Sequence, residues 1–186
     1  MTELSYLQCW KSGKNHVEKL KITSTRLQIV VLILILLMPC AVALNAATAA
    51  WAELLNMPQG IALDATRISG ISLLVVLTLG SIKPVVYMIA FWFLYKLLGL
   101  YREGIIFTAK NVAAIRRIGW AVASIDIADM LQTLITGPIL TFYNISSGYM
   151  AARLEVGFLI IGLFIALIAY VMDMGRELKE QDNLVI

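Results

Sequence analysis

Four apolar runs, a composition too apolar for a soluble domain and a one-sided distribution of basic residues predict an all-α polytopic membrane protein. Of the 186 residues, 60% are hydrophobic and 15% charged. Soluble domains carry about 45–50% and about 25%. A chain of this length holds about four or five spans and leaves little room for a separate soluble domain. Net charge is +3, from 15 basic and 12 acidic groups, an excess that gains meaning only when mapped to sides of a membrane.

Residues 1–26 form a polar N-terminal segment, and no charge follows from Leu27 to Ala52. That run is long enough for one spanning helix of about 20 residues plus an extension, so a first span is expected over 27–48. Pro39 predicts a kink within it. A signal peptide fits poorly, because the polar segment and the apolar run both exceed the usual lengths. The stretch LMPC resembles a lipoprotein box only faintly, with proline where a small residue should precede Cys40.

The second apolar region is interrupted by Lys83-Pro84. Ile68–Ile82 alone would make about 22 Å of helix, short for a core of about 30 Å. Proline suits a first helical turn. A short interfacial helix over 68–80 and a second span over 81–101 are therefore expected, with Lys83 at the outer edge and Lys96 snorkelling at the inner one. A third span is expected over 118–143 and a fourth over 153–173, where Gly157 and Gly162 would permit close helix approach.

With both termini in the cytoplasm, Lys11, Lys14, Lys19, Lys21, Arg26, Lys96, Arg102, Lys110, Arg116, Arg117, Arg176 and Lys179 fall inside, twelve residues against Arg67, Lys83 and Arg153 outside. That bias is a positive-inside signal. Splitting 68–100 into two spans would reverse it for the 102–117 block. Trp51, Tyr143 and Tyr149 at the outer boundary and Trp120 at the inner one fit aromatic belts.

The block YREGIIFTAKNVAAIRRIGW, Tyr101–Trp120, reads as a cytoplasmic hairpin over 102–117. Gly104 suits the left-handed position after a helix. Thr108 is a good N-cap, and Phe107 with Val112 has hydrophobic-staple spacing, while Asn111 at the third helical position makes only a partial capping box. Arg102, Lys110, Arg116 and Arg117 are explained by topology and anionic lipid heads. A direct nucleic-acid contact would ask for a longer basic run.

The third span carries Asp126 and Asp129, three apart and so on one helical face with Thr133 and Thr136. An acid near the bilayer centre costs at least about 2.5–3.5 kcal/mol. It must pair, protonate or face water or protein. Three readings stay open: a polar clasp to Lys96, Tyr87, Tyr95 or a neighbouring hydroxyl; a contact with another membrane protein; or a proton or cation site in which the two carboxylates raise one another's pKa.

Other chemistry finds no residues. Cys9, Cys40 and His16 are isolated, so no disulfide framework or metal site is expected. No phosphate loop or Ser/His/Asp set can be assembled, so neither enzyme nor cofactor is expected. After the fourth span, 174–186 form a tail in which Arg176–Glu180 is an i,i+4 pair and Glu177 adds to the charge. It reads as a solvated helix or a docking surface.

Two stretches, LYKLLGLYREG followed by IIFTAKNVAAIRRIGW, and the ending VGFLIIGLFIALIAYVMDMGRELKEQDNLVI, resemble the bacterial membrane family catalogued as domain-of-unknown-function 2975. The resemblance covers roughly the last 120 residues. The long polar N-terminus and the acidic third span depart from the pattern. The resemblance implies a small bacterial inner-membrane protein without established enzymatic activity. Such proteins are often encoded beside a small helix-turn-helix DNA-binding regulator.

The expectation is thus a multi-pass sensor or sequestering partner of such a regulator, held through Arg102, Phe107, Thr108, Lys110, Asn111, Arg116, Arg117, Arg176, Glu177 and Glu180. The alternatives are a small transporter or channel using an intramembrane site of Asp126, Asp129, Thr133 and Lys96, or a toxin-immunity or accessory subunit of a membrane complex. Homo-oligomers fit each reading.

Overall fold

The computed structural model describes residues 3–58, 60–104, 108–150 and 155–182, with side chains between Glu18 and Gln181. Five α-helices account for most of it: α1 Glu3–Ala47, α2 Trp51–Leu54, α3 Ile71–Arg102, α4 Ala109–Phe142 and α5 Gly157–Asp182, with a 3₁₀ turn at Ala65–Arg67. Four helices are long and apolar enough to cross a membrane: α1 within Glu18–Ala47, all of α3 and α4, and α5 to Gln181. The protein is therefore an all-α, multi-pass membrane protein. Among the described residues the only β pairing is an isolated bridge, Leu63 to Ser146.

Each long helix packs mainly on its neighbour in the chain, so α1 lies against α3, α3 against α4 and α4 against α5. This order explains the burial. The central helix α4 buries Ile125, Asp126, Asp129, Gln132, Thr136 and Leu140, whereas α1 and α5 turn Leu36, Leu44, Phe164 and Leu167 outward. Such outward apolar faces are what hydrocarbon solvates.

The second apolar region departs from expectation. Residues 71–102 form one helix of 32 residues with Pro84 inside it, not an interfacial helix followed by a span beginning at 81. Proline removes one backbone bond and crowds the carbonyl four residues back. Here that residue is Gly80, and α2 fills the notch: a Cβ on Gly80 would lie 2.9 Å from Leu54 Cδ1. The charge that argued for the break, Lys83, is answered from α4, as described below.

The helix α4 also begins earlier than the expected third span and passes through Pro138, while α5 continues through most of the expected tail. The α3–α4 turn follows the glycine reading. Gly104 has φ +77°, and its N–H donates to Tyr101 O at 3.0 Å, one bond of a Schellman ending. Thr108 holds the extended N-cap conformation, but its hydroxyl makes no capping bond. Phe107, and with it the hydrophobic staple, lies outside the described residues.

The two long connections meet at the opposite end. Leu55, Val76, Leu79, Leu140 and Ile145 form a small core there, with Trp51, Met57, Leu63 and Tyr149 packed around it. Asp64 N–H donates to Ile145 O at 2.9 Å, and Arg67 Nη1 to Asn144 O at 3.1 Å. The chain after α4 then turns back along it, since any Cβ on Gly137 would strike the Tyr149 carbonyl.

Candidate functional site

The polar residues of α4 are held by three other parts of the chain. Asp129, 2% exposed, accepts from Lys83 Nζ of α3 at 2.7 Å and from Asn56 Nδ2 of the first long connection at 2.8 Å. Both bonds end on Oδ1, and Oδ2 is buried with no hydrogen-bond partner among the described residues. One turn away, Asp126 Oδ2 accepts from the Leu159 N–H at 2.8 Å. Leu159 lies in the first turn of α5, where backbone donors have no helical partner and the helix dipole favours an anion. Asp126 thus caps α5 from a neighbouring helix.

That bond also sets the stagger of α4 and α5. Asp126 lies about 24 Å along α4 from its Phe142 end, so α5 starts near the middle of α4 and runs on past its beginning. Small residues permit the approach. A Cβ on Gly119 would lie 2.7 Å from Gly162 O, and one on Gly162 would lie 2.8 Å from Ala123 Cα. Gly157, expected at the same interface, has nothing within 4 Å of its Cβ position, because it precedes the crossing.

The expected intramembrane site is therefore changed in its members. Lys96 does not reach Asp126 or Asp129; it is exposed, with Nζ 5.3 Å from the centre of the Trp92 ring. It sits about 20 Å along α3 from Lys83, too far to share a partner. Thr133 is buried beside Asp129, but its hydroxyl donates to the Asp129 backbone carbonyl at 2.8 Å. Thr136 does the same to Gln132 O at 2.6 Å. Both hydroxyls satisfy themselves on their own helix and leave the carboxylates to Lys83, Asn56 and α5.

At the basic end, Arg102, Lys110, Arg116 and Arg117 are exposed. Asn111, expected among them, is 1% exposed, because its position turns inward with Val112 at the start of α4. Arg176 bonds Asp173 Oδ1 at 3.1 Å and Glu180 Oε1 at 2.7 Å, with Glu177 at 4.0 Å. Val112, Met172, Gly175, Arg176 and Lys179 line a groove of about 370 Å³ between α4 and α5.

The family model described as "Protein of unknown function (DUF2975)" matches residues 14–186. The chain belongs to this family. The match extends well beyond the two motif blocks and takes in the acidic span and much of the polar N-terminal helix. No curated protein and no solved structure matches it.

Within this DUF2975 chain, sequence reasoning missed Asn56, Gln132 and the pairing role of Lys83. The signal for Lys83 was present: a cation in one apolar run and, in the next, two acids of which Asp129 lies at a comparable distance from the long connections. Gln132 gave less warning, since a glutamine in a long helix reads as neutral. Among the described residues no group of three or more His, Cys, Asp or Glu is placed to hold a metal ion.

Proposed function

We propose that the protein is a non-enzymatic membrane sensor that holds a small cytosolic helix-turn-helix regulator at its basic end. In this reading the membrane is a bacterial inner membrane and both termini are cytoplasmic, as the twelve-to-three basic bias suggests. The groove between α4 and α5 carries the reading. Its floor is apolar and Lys179 stands on its rim beside Arg176, which is held by Asp173 and Glu180, and α5 reaches it as one unbroken helix. Such a groove suits an amphipathic helix that sets an acidic group against Lys179. The exposed Lys110, Arg116 and Arg117 lie within five residues of Val112 in α4, and the exposed Arg102 ends α3.

The test is purification of the tagged protein in mild detergent with mass spectrometry of what accompanies it. A small DNA-binding protein should co-purify, and should be lost when 174–186 are deleted. Recovery of another membrane protein instead would favour an accessory or immunity role. The transporter reading places proton or cation movement on Asp126 and Asp129. Both accept fixed bonds from other parts of the chain, which favours a clasp. Liposome flux that disappears in Asp126→Asn/Asp129→Asn would restore it.

A further inference from the structure

The polar groups near the long connections do not all close on one another. A cavity of about 230 Å³ lies between α1, the α2 segment and α3, and reaches α4 at one residue. Its polar lining is Asn45, Glu53, Asn56, Lys83, Tyr87 and Gln132. Gln132 is 1% exposed, and among the described residues neither its amide nitrogen nor its amide oxygen has a hydrogen-bond partner. Buried amides are rarely left so, because the loss of hydration is then uncompensated. Gln132 lines the cavity, so a turn of its amide toward that space would let a bound group accept from one end and donate to the other.

The rest of the lining narrows the chemistry. Glu53 is its exposed anion. Lys83 gives one proton to Asp129, and an ammonium has three to give. Pro84 carries no N–H for the Gly80 carbonyl, and both residues line the cavity. The space therefore offers an anion, a cation with protons to spare and a two-way amide.

We propose that this cavity binds a small zwitterion, with its ammonium on Glu53 and the Gln132 carbonyl and its anionic group on Lys83 and the Gln132 amide N–H. In an α-amino acid the two charged groups share one carbon, so a single amide can meet both. The headgroup of phosphatidylethanolamine presents the same pair through phosphate. The inference does not rest on the regulator reading, because binding is measured on the isolated protein.

The full-length protein in detergent would be screened by thermal unfolding with each of the twenty amino acids, and in nanodiscs of phosphatidylethanolamine or phosphatidylcholine. At a hundredfold excess over its dissociation constant, a bound amino acid should raise the midpoint by about 5 °C or more. Its N-acetyl derivative, which lacks the ammonium, should not. A shift confined to phosphatidylethanolamine discs would identify the headgroup as the source. Gln132→Leu and Glu53→Gln should each abolish the response. Gln132→Leu should unfold no earlier than the parent without ligand, since it removes two unpaired buried atoms, so its loss of response cannot be misfolding. The proposal is overturned if no probe moves the midpoint, if the shift survives in Gln132→Leu, or if the trimethylated headgroup works equally well.

Discussion

At the scale of single residues, the fold turns on one ion pair. Lys83 and Asp129 each interrupt an apolar run, and each alone would be costly in hydrocarbon. Together, with Asn56 as a second donor, they let α3 and α4 continue as unbroken helices. Weighed against lipid alone, Lys83 predicts a break; its partner 46 residues away in the chain removes the need for one. This makes a definite energetic prediction. Asp129→Ala should destabilise the protein by about 3–5 kcal/mol, because it leaves a partly buried ammonium unpaired, and Lys83→Met should do similar harm by stranding the carboxylate. Lys83→Met/Asp129→Leu should lose far less than the sum of the singles, since an apolar pair replaces both charges. Reversible unfolding in detergent would measure the cycle; simple additivity would mean that the pair contributes no coupling.

At the scale of elements, what was legible followed from local pattern. The four apolar runs, the Gly104 ending and the small-residue contact at Gly162 all read directly from the chain, because length, helix termination and close packing depend on nearby residues. What was not legible depended on pairing between distant helices: the continuity of α3, the stagger of α5, and the choice of Lys83 over Lys96. Gly162 tests how far the α4–α5 contact depends on shape. A valine there must push α5 away from the Gly119 carbonyl and Ala123, a strain of about 1–3 kcal/mol. Because α5 packs chiefly on α4, Gly162→Val should loosen α5 ahead of the rest. Limited proteolysis should then cut within 174–182 in the variant before the parent, whereas Gly157→Val, with open space at its Cβ, should behave as the parent does.

At the scale of the whole molecule, helices that pack mainly on chain neighbours have little common centre to hold them. The long connections supply that constraint. They bring the first half of the chain to the second through the Leu55–Ile145 core, the Asp64–Ile145 backbone bond and the Arg67–Asn144 bond. Arg67 is itself held by Asp64, with Nε 2.9 Å from Oδ2. The Thr66 hydroxyl first, and then the Thr66 N–H and the Arg67 charge, hold the Asp64 carboxyl below its usual 3.8. A carboxyl lowered in the folded state contributes stability that is fully present above 3.8 and is lost as pH falls through the lower folded value. Stronger acid should therefore release Thr66 and the Arg67 guanidinium from Asp64 and loosen the Arg67–Asn144 link, while the Leu55–Ile145 core stays closed. Hydrogen exchange at the Thr66 and Arg67 amides should rise in that window beyond the change expected from intrinsic chemistry. Asp64→Asn should show faster exchange at neutral pH and no further loss on acidification. An unchanged acid response in that variant would assign the loosening to another carboxyl and remove Asp64 from the lacing of the two halves.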